Sequence, residues 1–451
     1  MFQREAIKYL RHWAQKENRK PLIIRGARQV GKTSLINEFG KEFDLFLYLN
    51  LDKKKDAVFF EKELPVQQIF ESLLVTNGLT KPKGRILLFI DEIQNSPVAI
   101  KLLRYFYEEM PEIYLVAAGS LLETLINRQV SFPVGRVEYM ALRPCTFAEF
   151  LGATGEIQIL ETLNSRSVNE LLHNRMTDLF KQYALIGGMP EVVDHFSKNR
   201  DLIALGEIYQ TLLAGYRDDV EKYAPKELLI NPIRQVIKNG WDYAAQRITF
   251  EKFAHSNYKS REMAESLRIL EKALLLELVY PIVETRLPIS KDLKKKPKLL
   301  WLDTGLVNYA SGIQVELFNK DMISDAWRGK VTEHIVAQEI IGASTRFLDE
   351  RYFWVREAKN SQAELDFILK TNDFGLIPVE VKSGDNSKLK SLQLFMQDSP
   401  SKYAVRFWNK YESIDKITLL SGKSYLLFSL PIYYAGFIEE KIKLMIKNLN
   451  Q

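Results

Sequence analysis

Pro21-Leu-Ile-Ile-Arg25-Gly26-Ala-Arg-Gln-Val-Gly31-Lys32-Thr33-Ser34 is the stretch that decides the fold. An apolar run followed by Gly-x-x-x-x-Gly-Lys-Thr reads as a buried strand, a Walker A phosphate-binding loop and the start of a helix. Glycines at 26 and 31 let the backbone of Ala27, Arg28, Gln29 and Val30 curl so that successive N–H groups point inward at phosphate oxygens, where a β-carbon would intrude. Lys32 is expected to neutralise the β- and γ-phosphates and the Thr33 hydroxyl to ligate Mg2+, with Ser34 completing the loop. The helix opening at Lys32 aims its positive end at the same phosphates. A nucleoside triphosphate is therefore the expected ligand; the competing reading is a glycine-rich turn before a helix.

A chain of 451 residues holds two to four domains, each able to bury its own core. The composition, 46% hydrophobic and 27% charged, is that of a globular protein without low-complexity segments. A net charge of +6 permits nucleic-acid contact through local patches without arguing for it. The lone cysteine, Cys145, excludes an internal disulfide framework and fits a reducing compartment. The N-terminus reads as an amphipathic helix, and runs such as Ile86-Leu-Leu-Phe-Ile90 are too short to span a bilayer. A cytoplasmic location without a membrane partner is expected.

Through residue 150, apolar strands at Leu22–Arg25, Leu45–Leu49, Ile86–Ile90, Ile113–Ala117 and Val137–Leu142 alternate with helices, as a parallel sheet covered on both faces demands. Over 151–235 helical spacing dominates, broken at Gly187-Gly-Met-Pro190, which predicts a helical lid subdomain. The next unit, 236–318, reads as a helix at Thr249–His255, a longer helix from Ser260 to Leu274 with Ser260 as N-cap, and strands at Leu276–Val283 and Lys298–Leu302. Met263, Leu267, Leu270 and Leu274 mark its buried stripe, leaving Arg261, Arg268, Lys272 and the Lys294–Lys298 run to face DNA phosphates as in a winged helix, or simply to be solvated. A second α/β module is expected over 319–430 and a helical tail over 431–451.

Ile86-Leu-Leu-Phe-Ile-Asp91-Glu92 narrows the nucleotide chemistry. Asp91 at the strand's carboxyl edge can join the Mg2+ shell beside Thr33, which leaves Glu92 to orient and deprotonate the attacking water. The strand from Ile113 ends at Gly119-Ser120, where Ser120 either hydrogen-bonds the γ-phosphate or lytic water or caps the next helix. This order of strands resembles the AAA-type branch of P-loop ATPases, with Ser120 at the sensor position. Gly135-Arg136-Val-Glu-Tyr-Met-Ala-Leu142-Arg-Pro144-Cys-Thr-Phe-Ala-Glu149-Phe resembles the Gly-Arg…Leu-x-Pro…Glu-Phe motif of a group of prokaryotic AAA-type ATPases. The resemblance makes Arg136 a candidate finger arginine, within its own subunit or on a neighbour in a homo-oligomer, with Arg143 as its rival.

A second constellation lies in Ala363-Glu-Leu-Asp366-Phe and Pro378-Val-Glu380-Val-Lys382, read as two strands of one hairpin. Alternation puts Glu380 and Lys382 on one face, and if Asp366 lies opposite, two carboxylates able to hold Mg2+ meet a lysine able to orient water. This is the Asp…Glu-x-Lys arrangement of restriction-endonuclease-like nucleases, with Glu333 of an earlier helix as a further acid; the bland alternative is a solvated ion-pair hairpin.

Taken with Tyr183-Ala-Leu-Ile-Gly-Gly-Met-Pro190-Glu191, Leu300-Trp-Leu-Asp303-Thr-Gly305-Leu and Trp354-Val-Arg356, the chain resembles bacterial and archaeal AAA-type ATPases whose C-terminal half is a domain of unknown function with a winged helix and a restriction-endonuclease-like module. The resemblance implies an α/β multidomain protein with a P-loop sheet, ATP and Mg2+ as ligands, and DNA as partner. The alternative is a nucleotide-switched DNA- or protein-binding regulator whose nuclease-like fold is not catalytic.

Overall fold

A computed structural model describes residues 2–119, 133, 135–224, 226–314, 325–358, 361–382 and 389–449. The first module is built on strands β1 (Leu22–Arg25), β2 (Leu45–Asn50), β3 (Ile86–Asp91), β4 (Ile113–Gly119) and β5 (Glu138–Ala141). They are all parallel, in the order β2-β3-β4-β1-β5. Every residue of β3 is buried, because its two faces feed two cores. Leu87 and Phe89 join one that extends into the lid, whereas Ile86, Leu88 and Ile90 pack beneath the helices Val66–Thr76 and Pro97–Glu109. The latter helix starts where the sequence dictates: the Ser96 hydroxyl accepts from the Ala99 N–H at 3.1 Å and Pro97 fills the first turn.

Helices between Phe147 and Tyr223 form a helical subdomain in the place of the expected lid, and the helix Ile230–Asn239 opens the middle module. The first helix of the lid is closed by a reciprocal cap in which the Glu149 N–H donates to the Thr146 hydroxyl and the Thr146 N–H to the Glu149 carboxylate.

The middle module departs from expectation in three places. The helix expected over 249–255 is a single 3-10 turn, Phe253–His255, because Lys252, Ala254 and His255 have φ of 52°, 51° and 56°. The helix Ser260–Lys272 is capped not by Ser260 but by Glu262, whose carboxylate accepts the Lys259 N–H at 2.9 Å. The strand expected over 276–283 breaks at Tyr280: β7 (Leu276–Val279) pairs with β9 (Lys298–Trp301), but β8 (Pro281–Ile282) crosses to another sheet. Pro281 has no N–H with which to extend the first ladder. With β6 (Gln246–Arg247) the small sheet has the order β6-β9-β7.

Seven strands make the C-terminal sheet, β14-β15-β13-β12-β11-β10-β8, from β10 (Tyr352–Ala358), β11 (Ser361–Thr371), β12 (Gly375–Val381), β13 (Tyr403–Trp408), β14 (Ser413–Thr418), β15 (Ser424–Pro431) and the donated β8. The 431–451 segment is no detached tail. Its helix, Ile438–Leu449, returns to the lid, where the Lys441 ammonium donates to the Arg166 carbonyl at 2.5 Å and the Tyr434 hydroxyl accepts the Val168 N–H at 3.0 Å.

Lid, middle module and C-terminal module meet at Gly187-Gly188. Asp303 accepts the Gly188 N–H at 2.5 Å and the Leu306 N–H at 3.0 Å, and Tyr183 donates its hydroxyl to Glu339 at 2.7 Å. Gly187 has φ 70° and a β-carbon there would strike the Asp303 carboxylate. Burial pushes Asp303 up to about 6 and Glu339 up to about 7. Folded chains thus hold protons that unfolded chains have lost, so stability falls as pH rises from about 4 through these values, on the order of 3 kcal/mol per group. The Asp303→Asn, Glu339→Gln double variant is expected to flatten that slope in urea titrations between pH 4 and 8; an unchanged slope would contradict the burial.

Candidate functional site

The first site begins where β1 ends. The loop from Gly26 to Gly31 uses left-handed backbone at Gln29 (φ 64°) and Gly31 (φ 90°), and a β-carbon on Gly26 would sit 2.5 Å from the Leu142 carbonyl oxygen. Arg4 braces it from the N-terminal segment, donating to the carbonyls of Val30 at 3.0 Å and Arg143 at 2.7 Å and to Glu149 at 3.0 Å. Lys32 opens the helix Lys32–Gly40, and its buried ammonium donates to the Gly26 and Ala27 carbonyls at 2.9 and 2.8 Å. Burial lowers Lys32 to about 8 despite the nearby carboxylates of Glu92 and Asp91. ATP affinity is therefore expected to weaken above pH 8, by up to tenfold per unit, because the ammonium must first be recharged. A flat affinity between pH 7 and 9.5, measured with a fluorescent ATP analogue, would contradict this.

The Thr33 hydroxyl donates to Asp91 at 2.6 Å, so both expected Mg2+ ligands already touch. Such an oxygen pair is the donor set that Mg2+ takes alongside phosphates. Tyr48 also donates to Asp91, at 3.3 Å, and stacks on Phe89. Glu92 follows with φ 54°, a left-handed turn that aims it off the strand into a cavity of about 870 Å3, and the Gln94 amide donates to its carboxylate. Gln94→Ala is expected to leave ATP affinity unchanged and lower turnover roughly ten- to a hundredfold, the cost of a mispositioned base; unchanged turnover would free Glu92 of this partner. The cavity lies between the loop (Arg28, Lys32), the N-terminal segment (Phe2) and the lid (Pro190, Asp219), with Ser34 also on its wall. Arg28 and Asp219 join its sides by a 2.5 Å ion pair.

Ser120 lies outside the described residues. Arg136 precedes β5, at the end of the parallel sheet opposite the loop, and pairs with Glu108 at 3.0 Å. Arg143 is buried against the carbonyls of Ser344, at 2.5 Å, and Arg346 and does not line the cavity.

The second constellation assembles differently from expectation. Asp366 accepts the Val381 N–H at 2.6 Å, and Lys382 donates to Glu380 at 2.6 Å, so hairpin and ion pair form as read. Glu333, however, is engaged by Lys298, which the sequence had placed on a basic wing. Lys298 is 1% exposed and binds Glu333, and Glu364 at 3.2 Å, beside the Phe353 ring. Burial alone would lower Lys298, but the pull of Glu333, Glu364 and Asp366 raises it above its ordinary value. Burial pushes Glu333 and Asp366 upward and Glu380 to about 7. Lys291 and Lys295 are also taken, by Glu350 and Glu357, which leaves Lys294 and Lys296 exposed. Among the described residues no group of three or more His, Cys, Asp or Glu side chains is arranged to hold a metal. A cation here would rest on Asp366 and Glu380, and the buried Oε2 of Glu380, which lacks any hydrogen-bond partner, fits that demand.

Residues 18–151 match the family model of an AAA domain. Two models for domains of unknown function match further on, DUF8612 over residues 177–317 and DUF4143 over 328–425. Comparison with curated proteins finds no match. Among solved structures, the chain is similar to a Walker-type ATPase of Pyrococcus abyssi (14% identity, 69% of this chain and 96% of that one, TM-score 0.44). It is also similar to the Orc1 protein of Aeropyrum pernix, solved with DNA (16% identity, 69% and 93%, TM-score 0.29). The AAA domain has the parallel sheet of a P-loop nucleotide-binding fold, with β4 between β1, which leads into the phosphate loop, and β3, which ends at Asp91. No helix among the described residues is long and apolar enough to cross a membrane.

Sequence reading missed Arg4, Gln94 and Asp219 in the AAA domain site. Gln94 lies two residues beyond the Asp91-Glu92 motif, and Arg4 and Asp219 arrive from distant segments with no local pattern.

Proposed function

We propose that the chain is a Mg2+-dependent ATPase whose AAA domain gates an action of the C-terminal half on DNA. The observation that carries this is the meeting of Lys32, Thr33, Asp91 and Glu92 at one end of a cavity roofed by the lid. Loop amides and Lys32 bind the phosphates, Thr33 and Asp91 would hold Mg2+, and Glu92, free of that role, orients and deprotonates the attacking water. Mg2+ supplies charge neutralisation of the phosphates. Arg136, exposed at the far edge, would serve a neighbouring subunit in a homo-oligomer.

Support for DNA comes from the order helix, β6, helix, β7, β9 in the middle module, which suits a winged helix, and from the exposed Arg261, Arg268, Lys294 and Lys296. Asp366, Glu380 and Lys382 suit a nuclease-like site. A second reading, a nucleotide-switched binder without cleavage, is favoured by the Lys298 ammonium on Glu333. Incubation of the full chain with DNA, ATP and Mg2+ or Mn2+ separates the two. Cleavage lost in Glu380→Ala supports the first; DNA bound but uncut supports the second; neither binding nor cleavage sinks both.

A further inference from the structure

β12 and β13 run parallel with Glu380 in register with Arg406, and β13 and β15 pair Arg406 with Ser429. Val379, Val405, Phe407, Phe428 and Leu430 pack into one core, and Leu376, Ala404 and Leu427 into the other. By alternation Glu380, Lys382, Arg406, Trp408 and Ser429 therefore share one face, at the carboxyl ends of adjacent parallel strands. Open α/β sheets place ligands at such ends.

Three demands on this face go unmet. Arg406 is 8% exposed, yet among the described residues its guanidinium donates only to the neutral Ser429 hydroxyl, at 3.1 and 2.6 Å, lies 4.0 Å over the Trp408 ring, and feels Asp415 of β14 without a hydrogen bond to it. Among the described residues the buried Trp408 indole N–H finds no acceptor and the buried Glu380 Oε2 no donor. A buried cation ordinarily has a counter-charge, and a buried donor an acceptor. Two donors without a bonded anion, beside a carboxylate oxygen without a bonded partner, suit one ligand: an anionic group with its counter-ion.

We propose that Arg406 and Trp408 bind a phosphodiester group of a nucleic-acid strand beside the Glu380–Lys382 pair. This rests on the DNA reading above and names the residues that grip the strand. Planar guanidinium donors match phosphate oxygens, the indole N–H adds a neutral donor, and the half-buried Trp408 ring offers a face for a base.

The test is fluorescence anisotropy of a labelled single-stranded oligonucleotide with the full chain across a salt series. Arg406→Gln is expected to weaken binding about tenfold and to lower the slope of log K against log salt by about 0.7, the loss of one phosphate contact. Arg406→Lys should restore the slope. Trp408→Phe, which keeps an aromatic face but loses the indole N–H, should weaken binding severalfold without altering the slope; it remains informative if circular dichroism shows that Arg406→Gln does not fold. Unlabelled oligonucleotide should displace the probe, and displacement by inorganic phosphate at equal concentration would mark a free-anion site and overturn the proposal. Wild-type affinity and slope in both Arg406→Gln and Trp408→Phe, with clear wild-type binding, would refute this assignment alone. No salt-dependent binding by the wild type would refute the DNA reading as well.

Discussion

Glu92→Gln is expected to bind ATP with wild-type affinity and to hydrolyse it about 10²–10⁴ times more slowly, the range for loss of a general base. Asp91 cannot substitute, because its two oxygens are occupied by the Thr33 hydroxyl at 2.6 Å and the Glu92 N–H at 3.1 Å. Glu92, by contrast, is thrown off the strand line by its left-handed backbone (φ 54°) and reaches the cavity. Such a conformation costs a β-carbon residue energy, and its occurrence at the cavity mouth is the mark of a side chain aimed for use. Glutamine preserves shape and the polar tip but cannot take a proton. Single-turnover phosphate release paired with binding of a fluorescent ATP analogue separates the two effects; a variant that still turns over at the wild-type rate would remove Glu92 from the chemistry.

Lys298→Ala is expected to destabilise the junction of the middle and C-terminal modules by about 3–5 kcal/mol, the cost of leaving a buried carboxylate without its partner. Lys298 lies on β9, whereas Glu333 and Glu364 belong to the C-terminal module, so the pairs cross the boundary. The Lys298→Met, Glu333→Gln double variant removes both charges and should recover most of the loss, since neutral replacement of a buried pair is often tolerated. Urea unfolding of the single and double variants measures the difference. A single variant within about 1 kcal/mol of wild type would mean that water already reaches the pair.

The Lys298 result shows where sequence reading stops. In the run Lys291 to Lys298 every lysine looks alike, and a charge run reads as a solvated face; only the fold reveals that β9 carries its last lysine under a neighbouring sheet. The strands of the AAA domain were legible to within one or two residues; β1 and β3 are buried throughout and show the near-continuous hydrophobic run that a fully covered strand demands, whereas β2 and β5 carry exposed tyrosines. The phosphate loop was legible because its glycines and lysine are chemically forced. Pro281, which diverts β8 to a second sheet, carried a visible signal in its missing N–H, although the run Leu276 to Val283 reads as one strand by hydropathy alone. Gly187-Gly-Met-Pro190 was recognisable as a break, but its partner Asp303 lies over a hundred residues away, and nothing local specifies that pairing. The place of Arg136 beside Glu108 was not legible, because a motif fixes which residues are present and not which end of the sheet they reach.

Phosphate release from ATP by the purified full chain in the presence of Mg2+, measured alongside Lys32→Ala, tests the central claim most directly. Steady release by the wild type and a fall of at least about a hundredfold in Lys32→Ala is the result expected from loss of a preorganised phosphate-binding charge. Equal rates in the two proteins would contradict it.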